Sequence, residues 1–226
     1  MKFSALENHI SAPRLNRYLI ATAGNKRKAI KAYKLNLELA QAFHPLLGLL
    51  EVVLRNHINH QLSAYFHDND WIINQKRGFM SNRSLHRTNF FLRKGVEKAE
   101  RRLTRNSVAI TSGKIIAEQT FGFWTSLFET HHYRLIGGRS IKAFTNLPPE
   151  VGRKRIFKDL EKVREFRNRI NHNEPICFNF HTLNFDKAEE VRVVIEETLS
   201  WIDPQIPNFY KSLDKTTKVI SKGKLL

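Results

Sequence analysis

Residues 29–66 read AIKAYKLNLELAQAFHPLLGLLEVVLRNHINHQLSAYF. Apolar residues recur there at every third or fourth position, which is the spacing of one face of an α-helix. They are Leu35, Leu39, Ala42, Phe43, Leu46, Leu50, Val53, Leu54, Ile58, Leu62 and Phe66. The stretch therefore predicts a long amphipathic helix. Pro45 is expected to kink or split it, because proline lacks the backbone donor and clashes with the preceding turn.

Further helices are predicted at residues 16–22, 112–131, 148–172 and 186–201. Ser112 is suited to capping the second of these, and Pro148 is tolerated in the first turn of the third. Pro175 and Pro204 mark the ends of the last two, since proline does not continue a helix. No run of strands is indicated, so the predicted fold class is all-α.

The composition indicates a folded domain. With 226 residues, 41% of them hydrophobic and 11% aromatic, the chain can bury enough apolar surface to offset its ordering entropy. We predict a single helical domain over residues 1–210. Residues 211–226 are rich in lysine and are expected to form a flexible basic tail.

A formal charge of +17 and a pI near 10.2 favour a polyanionic partner, above all nucleic acid. Membrane binding would need a basic amphipathic helix or a lipidation signal, and neither is found, so no membrane partner is expected. The N-terminus lacks the apolar stretch of a signal peptide. Cys177 is the only cysteine, which excludes an intrachain disulfide and fits a reducing, cytoplasmic location.

The most basic block is residues 76–114, which hold eleven Lys or Arg against two Glu. Such a cluster favours contact with RNA phosphates, although a solvated helix face is the alternative for any one of these side chains. The residues predicted to bind RNA are Arg87, Arg93, Lys94, Lys98, Arg101, Arg102 and Arg105.

Two segments match almost letter for letter: LRNHINH at residues 54–60 and FRNRINH at residues 166–172. Both read apolar-Arg-Asn-basic-Ile-Asn-His. On a helix the first Asn and the His are four residues apart and share a face, with Arg beside them, so the three side chains can converge on one phosphate. The candidate catalytic residues are Arg55, Asn56, His60, Arg167, Asn168 and His172.

These residue types suit RNA cleavage without a metal. Imidazole, with a pKa near 6.5, can take the proton from an RNA 2′-hydroxyl or give one to the leaving 5′-oxygen, and guanidinium binds phosphate oxygens. The expected products are a 2′,3′-cyclic phosphate and a 5′-hydroxyl, and DNA would be spared. No cofactor is expected. His57 and His60 could bind a metal with His131 or His132, but no HExxH motif or carboxylate cluster supports such a site.

Structural roles are the alternative for both motifs. A guanidinium on a helix often forms a surface ion pair, and Glu51, one turn before Arg55, could hold it. In that case the chain would be a non-catalytic module that binds RNA or DNA through its charge, or a regulator that binds a partner.

Residues 166–176, FRNRINHNEPI, resemble the motif of the Abi-like abortive-infection proteins of bacteria, a HEPN family. Residues 50–56, LEVVLRN, and residues 121–128, FGFWTSLF, are also similar to that family, so the resemblance covers most of residues 14–202. It implies a HEPN-like helical bundle, with the possibility of two HEPN-like halves that share one core.

The resemblance further implies RNA cleavage in phage defence or in a toxin–antitoxin pair, with catalysis by Arg167, Asn168 and His172. HEPN ribonucleases generally build a site from two facing motifs, within one chain or across a homodimer, and both arrangements stay open here. The implied partners are RNA as substrate, a neutralising RNA, a protein antitoxin and a second copy of the chain. Relatives commonly have His where this chain has Asn173.

Overall fold

The computed structural model of the chain describes residues 3–226 and is predominantly helical, which confirms the all-α prediction. The helices are α1 (Phe3–Ile10), α2 (Ala12–Ala21), α3 (Lys26–Phe66), α4 (Trp71–Asn74), α5 (Phe91–Arg105), α6 (Ser112–Glu118), α7 (Phe121–Ser126), α8 (Thr130–Leu135), α9 (Arg153–Asn171), α10 (Asp186–Ile202), α11 (Gln205–Tyr210) and α12 (Thr216–Lys224). Short 3-10 segments occur at Phe79–Ser81, Arg83–Thr88 and Arg139–Ala143.

Internal contacts divide the chain into two compact units. The first unit comprises the described residues up to Leu49, Glu165–Glu197 and Pro207–Leu226; the second comprises Leu50–Arg164 and Thr198–Ile206. Both units are discontinuous in sequence, because α3, α9, α10 and α11 each contribute residues to both.

The first unit has an aromatic and aliphatic core. The rings of Phe43 and Phe166 meet edge to face at 4.8 Å, and those of Tyr18 and Phe178 at 5.0 Å. One buried polar group serves the backbone: the side-chain oxygen of Asn36 accepts a hydrogen bond of 2.8 Å from the Ile176 amide. This bond satisfies a buried donor that would otherwise cost stability.

The last residues of the chain belong to this unit rather than to a frayed tail. Helix α12 buries Ile220 and Gly223, and the Lys222 ammonium lies 2.6 Å from the Glu38 carboxylate. A Cβ added at Gly223 would lie 2.4 Å from the Phe185 ring, so the helix packs closely on that side chain. The lysine-rich composition had predicted flexibility, but the apolar residues of α12 are spaced to bury one face.

The second unit has its own aromatic core. Phe66 stacks on Phe79 with centroids 5.7 Å apart and on Trp71 at 6.3 Å. Helix α5 is strongly amphipathic: Leu92, Val96, Ala99 and Leu103 are buried at helical spacing, and the basic residues occupy the remaining faces. This segregation places the charges of the basic block at the surface.

Helix α3 is continuous through Pro45, so of the two expected effects of this residue, a kink or a split, the split does not occur. Proline removes only one helical hydrogen bond, the one to the carbonyl of Gln41. Both Gln41 and Pro45 are exposed, which leaves that carbonyl open to water, while the neighbouring Phe43 and Leu46 are fully buried. Burial on both sides of the proline therefore outweighs one lost bond.

The helix predicted over residues 112–131 is divided into α6, α7 and α8. Thr111, not Ser112, caps α6 by accepting from the Lys114 amide. Hydroxyl groups inside the segment bond to backbone carbonyls, as Ser126 does to Phe123, and such local bonds compete with a continuous helix. The helix predicted from Pro148 begins later, at Arg153, because residues 148–151 form a turn closed by the Val151 amide and the Pro148 carbonyl.

Two short strands, Phe178–Asn179 and Thr182–Leu183, form an antiparallel hairpin that the sequence did not indicate. Phe180 at its tip is 84% exposed and has a φ of 52°. A bulky residue in the left-handed region is uncommon and strained.

Among residues 3–226, α3 is the one helix long and apolar enough to cross a membrane by length and composition. The core helix of a water-soluble protein passes the same test, so the observation is weak evidence.

Candidate active site

The first motif lies near the C-terminal end of α3, in the second unit. Leu54 and Ile58 are fully buried and share one helix face because they are four residues apart. Asn56 and His60, also four apart, are exposed, and Arg55 is half-buried. The structure therefore places the side chains of the motif as the helical spacing predicted.

The second motif closes α9, in the first unit. Phe166 and Ile170 are buried, Arg167 and Asn168 are half-buried, and His172 is exposed. His172 directly follows the helix, but its amide still donates a bond of 2.9 Å to the Asn168 carbonyl, so the i, i+4 relation is kept.

Asn173 terminates α9. Its φ is 53°, and the next amide, of Glu174, donates 2.8 Å back to the Arg169 carbonyl. This is the Schellman ending, in which a left-handed residue is needed and Asn is tolerated better than most side chains. Asn173 is therefore accounted for by the backbone, and a second imidazole at this position is not required to end the helix.

The shared second Asn of the two motifs has different surroundings. Asn59 accepts a hydrogen bond of 2.8 Å from the indole nitrogen of Trp71, a buried side chain of the second unit. Asn171, its counterpart, is exposed. We assign Asn59 to the fold, since an indole donor that is buried needs an acceptor.

The first motif contains groups whose electrostatic state is perturbed. The pKa of His57 is lowered from its usual value by burial and by the neighbouring His60 imidazole, with Asp203 opposing the shift. The two rings have centroids 6.5 Å apart. The Nε of Arg55 is buried and has no hydrogen-bond partner within the described residues. A guanidinium with an unused N–H is suited to donate a hydrogen bond to a phosphate oxygen.

The basic residues of α5 fall into two groups. Arg93 lies 3.4 Å from Glu97 and over the Phe90 ring, and Arg102 lies 2.9 Å from Glu118. The others form a stripe on one exposed face, at i, i+4, i+7 and i+11, and make no ion pair within residues 3–226: Lys94, Lys98, Arg101 and Arg105. Arg87 is exposed on a 3-10 segment before α5. The stripe of four is the part of the block best placed to bind phosphates.

Other chemistries find less support in the described part of the chain. No three His, Cys, Asp or Glu side chains are grouped there in a way that could hold a metal ion. His132 is fully buried, with its Nδ1 3.0 Å from the Ser126 carbonyl oxygen. Burial raises the pKa of the Cys177 thiol to about 12, which keeps it protonated and a poor nucleophile.

Comparison with models of known families, with curated proteins and with solved structures finds no match. The resemblance to the Abi-like proteins thus stays a prediction drawn from the motifs.

Two exposed residues near the motifs were missed by sequence reasoning. His67, in the left-handed region with a φ of 51°, follows α3 in the second unit, and Phe180 is at the hairpin tip of the first. The carbonyl of Phe180 accepts a bond of 2.9 Å from Arg17. Neither residue belongs to a periodic pattern, so the sequence carried no signal for either.

Proposed function

We propose that the chain is a metal-independent endoribonuclease of the HEPN type. The proposal rests on a pattern of burial and exposure that the two motifs share. In both, the apolar residues are buried, whereas the histidines, His60 and His172, are exposed and make no side-chain hydrogen bond within residues 3–226. The fold has no evident need for either imidazole, and a shared chemical task explains why both motifs carry one.

The proposed reaction uses these side chains directly. One imidazole takes the proton of the 2′-hydroxyl, whose oxygen attacks the adjacent phosphorus, while a second imidazole gives a proton to the departing 5′-oxygen. Arg55 and Arg167 neutralise the charge that develops on the phosphate oxygens. Asn56 and Asn168 hold the histidine or the RNA backbone. The P–O5′ bond breaks as the P–O2′ bond forms, and the products are a 2′,3′-cyclic phosphate and a 5′-hydroxyl.

The biological role follows from the family resemblance. A ribonuclease of this type acts as a toxin, in abortive infection during phage attack or in a toxin–antitoxin pair. RNA is then the substrate, and a neutralising RNA or a protein antitoxin is the regulatory partner.

A cleavage assay with EDTA tests the proposed chemistry. Purified protein and single-stranded RNA are incubated with excess EDTA, and we expect cleavage to continue, with fragments ending in a 2′,3′-cyclic phosphate. The same oligonucleotide with 2′-deoxyribose throughout should stay intact, because it lacks the nucleophile. Cleavage of the deoxy substrate, or loss of all cleavage in EDTA, would contradict the proposal.

A second candidate function, a non-catalytic nucleic-acid-binding module, is favoured by one observation. The stripe of Lys94, Lys98, Arg101 and Arg105 on α5 spans about 16 Å of helix without an ion pair and would bind RNA backbone whether or not the chain cleaves it. The two functions share the stripe and differ in the need for histidine.

The α5 stripe makes a prediction for salt dependence. Each phosphate neutralised in a single strand adds about 0.7 to the slope of log affinity against log salt. Reversing Lys98 and Arg101 to glutamate should therefore weaken RNA binding and reduce that slope by about 1.4. The measurement is fluorescence anisotropy with a non-cleavable RNA analogue over a series of salt concentrations.

The matched control is Lys31→Glu with Lys34→Glu on α3. These lysines are also exposed, three residues apart and outside any ion pair within the described residues, so the net charge changes equally. A much smaller change of slope is expected. Equal changes in both variants would assign binding to the overall charge and not to the α5 stripe.

A further inference from the structure

A cleft of about 730 Å³ opens beside His60, entirely within the second unit. Its lining includes His60 and Ser63 from the end of α3, His67 directly after it, and Gly113 and Ile116 from α6. The volume is within the range of about 300–1,000 Å³ that is usual for small-ligand sites. His67 has left the helix, with a φ of 51°, but its side chain lines the same cleft as that of His60.

The cleft wall is held by a series of hydrogen bonds. Asp68 accepts from the Asp70 amide at 2.8 Å and from the Asn74 side chain at 3.0 Å. Asp70 in turn accepts from the hydroxyl of Ser112, which ties the start of α6 to the loop after α3. Asn59 accepts from Trp71, so three polar side chains of the lining, Asn59, Asp68 and Ser112, are bonded to residues behind the cleft wall.

Four polar side chains that line the cleft are not committed. His60, Ser63, His67 and Asn69 make no side-chain hydrogen bond within the part of the chain that the structure describes. A rigid wall with unused donors and acceptors is the usual construction of a binding site.

Histidine is an unusual residue at the position that His67 occupies after the end of α3. The Asp68 amide donates 3.0 Å to the Ser63 carbonyl, so α3 ends in a Schellman motif with His67, at a φ of 51°, in the left-handed position. Glycine is the usual residue there, because it has no Cβ. His67 is exposed as well, so its ring contributes little to the core.

We propose that this cleft binds one ribonucleotide of the RNA substrate next to His60, and that His67 is a second imidazole contacting that nucleotide. The inference rests on the proposed function. Imidazole and hydroxyl groups can hydrogen-bond a ribose, a base edge and a phosphate, and Ala64 and Ile116 supply apolar surface for a base. The ligand class is therefore a nucleoside phosphate rather than a bare anion.

Nucleotide binding is measured on the full chain by NMR of the histidine ring protons. We expect uridine 3′-monophosphate to shift the signals of His60 and His67 but not that of His131, which is exposed on α8 and does not line the cleft. Uridine and inorganic phosphate, each tested alone, should bind more weakly, because each supplies part of the contacts. Equal binding of phosphate alone, or no shift at His67, would overturn the proposal.

The decisive variant is His67→Gly. It should stabilise the backbone at the end of α3 and remove the contact between the His67 imidazole and the nucleotide. Thermal stability is expected to stay the same or rise, since glycine suits the left-handed position. Affinity for uridine 3′-monophosphate should fall about tenfold, the size of one net hydrogen bond, and KM for RNA should rise by a similar factor while kcat changes little.

Two controls isolate the imidazole. Ser107→Gly makes the same backbone change at the Schellman end of α5, where Ser107 has a φ of 55° and lies outside the cleft. His131→Asn removes an exposed imidazole elsewhere in the second unit. Both should bind nucleotide as the wild type does. An affinity unchanged in His67→Gly would overturn the proposal.

Different results would contradict the nucleotide site in the cleft and the ribonuclease function. If the chain binds the nucleotide at His60 and His67 but never cleaves RNA, the cleft is a nucleotide site and the ribonuclease proposal is wrong. If it cleaves RNA and the nucleotide shifts neither histidine, the ribonuclease proposal holds and the cleft assignment is wrong.

Discussion

Expression of the wild-type chain in a bacterium without a neutralising partner is expected to stall growth, and the His172→Ala variant is expected to be tolerated. Loss of one general acid–base group lowers a rate by about 10² to 10⁴, which would take RNA cleavage below a harmful level. The substitution should leave the fold intact. His172 is exposed, and the bond that it donates to the Asn168 carbonyl comes from its backbone amide.

The control for this experiment is His131→Ala, which removes another exposed histidine from the chain. It should be as toxic as the wild type at equal protein level, with growth curves and RNA integrity as the readouts. If wild type and His172→Ala are tolerated equally, the chain is the binding module of the second candidate function. Circular dichroism of both variants excludes misfolding as the cause of tolerance.

The sequence predicted the helices whose buried residues follow the helical period. In α3, α9 and α10 the apolar residues recur at every third or fourth position, and burial of that face determines the helix almost alone. The predicted bounds of α10, residues 186–201, differ from the observed end at Ile202 by one residue.

The failed predictions were those that relied on single residues. Pro45 was expected to kink or split α3 and Pro148 to start a helix, but burial keeps α3 continuous and a local turn delays the start of α9. Residues 112–131 have the apolar content of a helix, but residues 121–128 are almost all buried, and hydroxyl groups there bond to nearby carbonyls. The order of residues in the sequence does not show which hydroxyl groups will compete with helical hydrogen bonds for backbone carbonyls.

The same distinction between local pattern and tertiary contact applies to the candidate site. The relation of Asn and His within each motif is fixed by four residues of helix and could be predicted from the sequence. Assigning Asn59 to the fold required the contact with Trp71, twelve residues away. The role inferred for His67 required its left-handed backbone and the shared cleft, and both depend on how α3 ends and what packs beside it.

Kinetic coupling between the motifs decides whether they form one site. We expect His60→Ala and His172→Ala each to lower RNA cleavage by about 10² to 10⁴, as general acid–base removal does. The double variant should be scarcely slower than either single one, because groups that act in one transition state are strongly non-additive. Initial rates on a short fluorescent RNA, measured at saturating substrate, give the comparison. Two independent sites would instead lose activity in halves.

The control is His44→Ala, which removes an exposed imidazole from the same helix, α3, outside either motif. Its rate should equal that of the wild type. If His60→Ala cleaves as the wild type does while His172→Ala is inactive, the first motif is structural. The catalytic pair would then be His172 and the same residue of a second copy, so activity would depend on dimer formation.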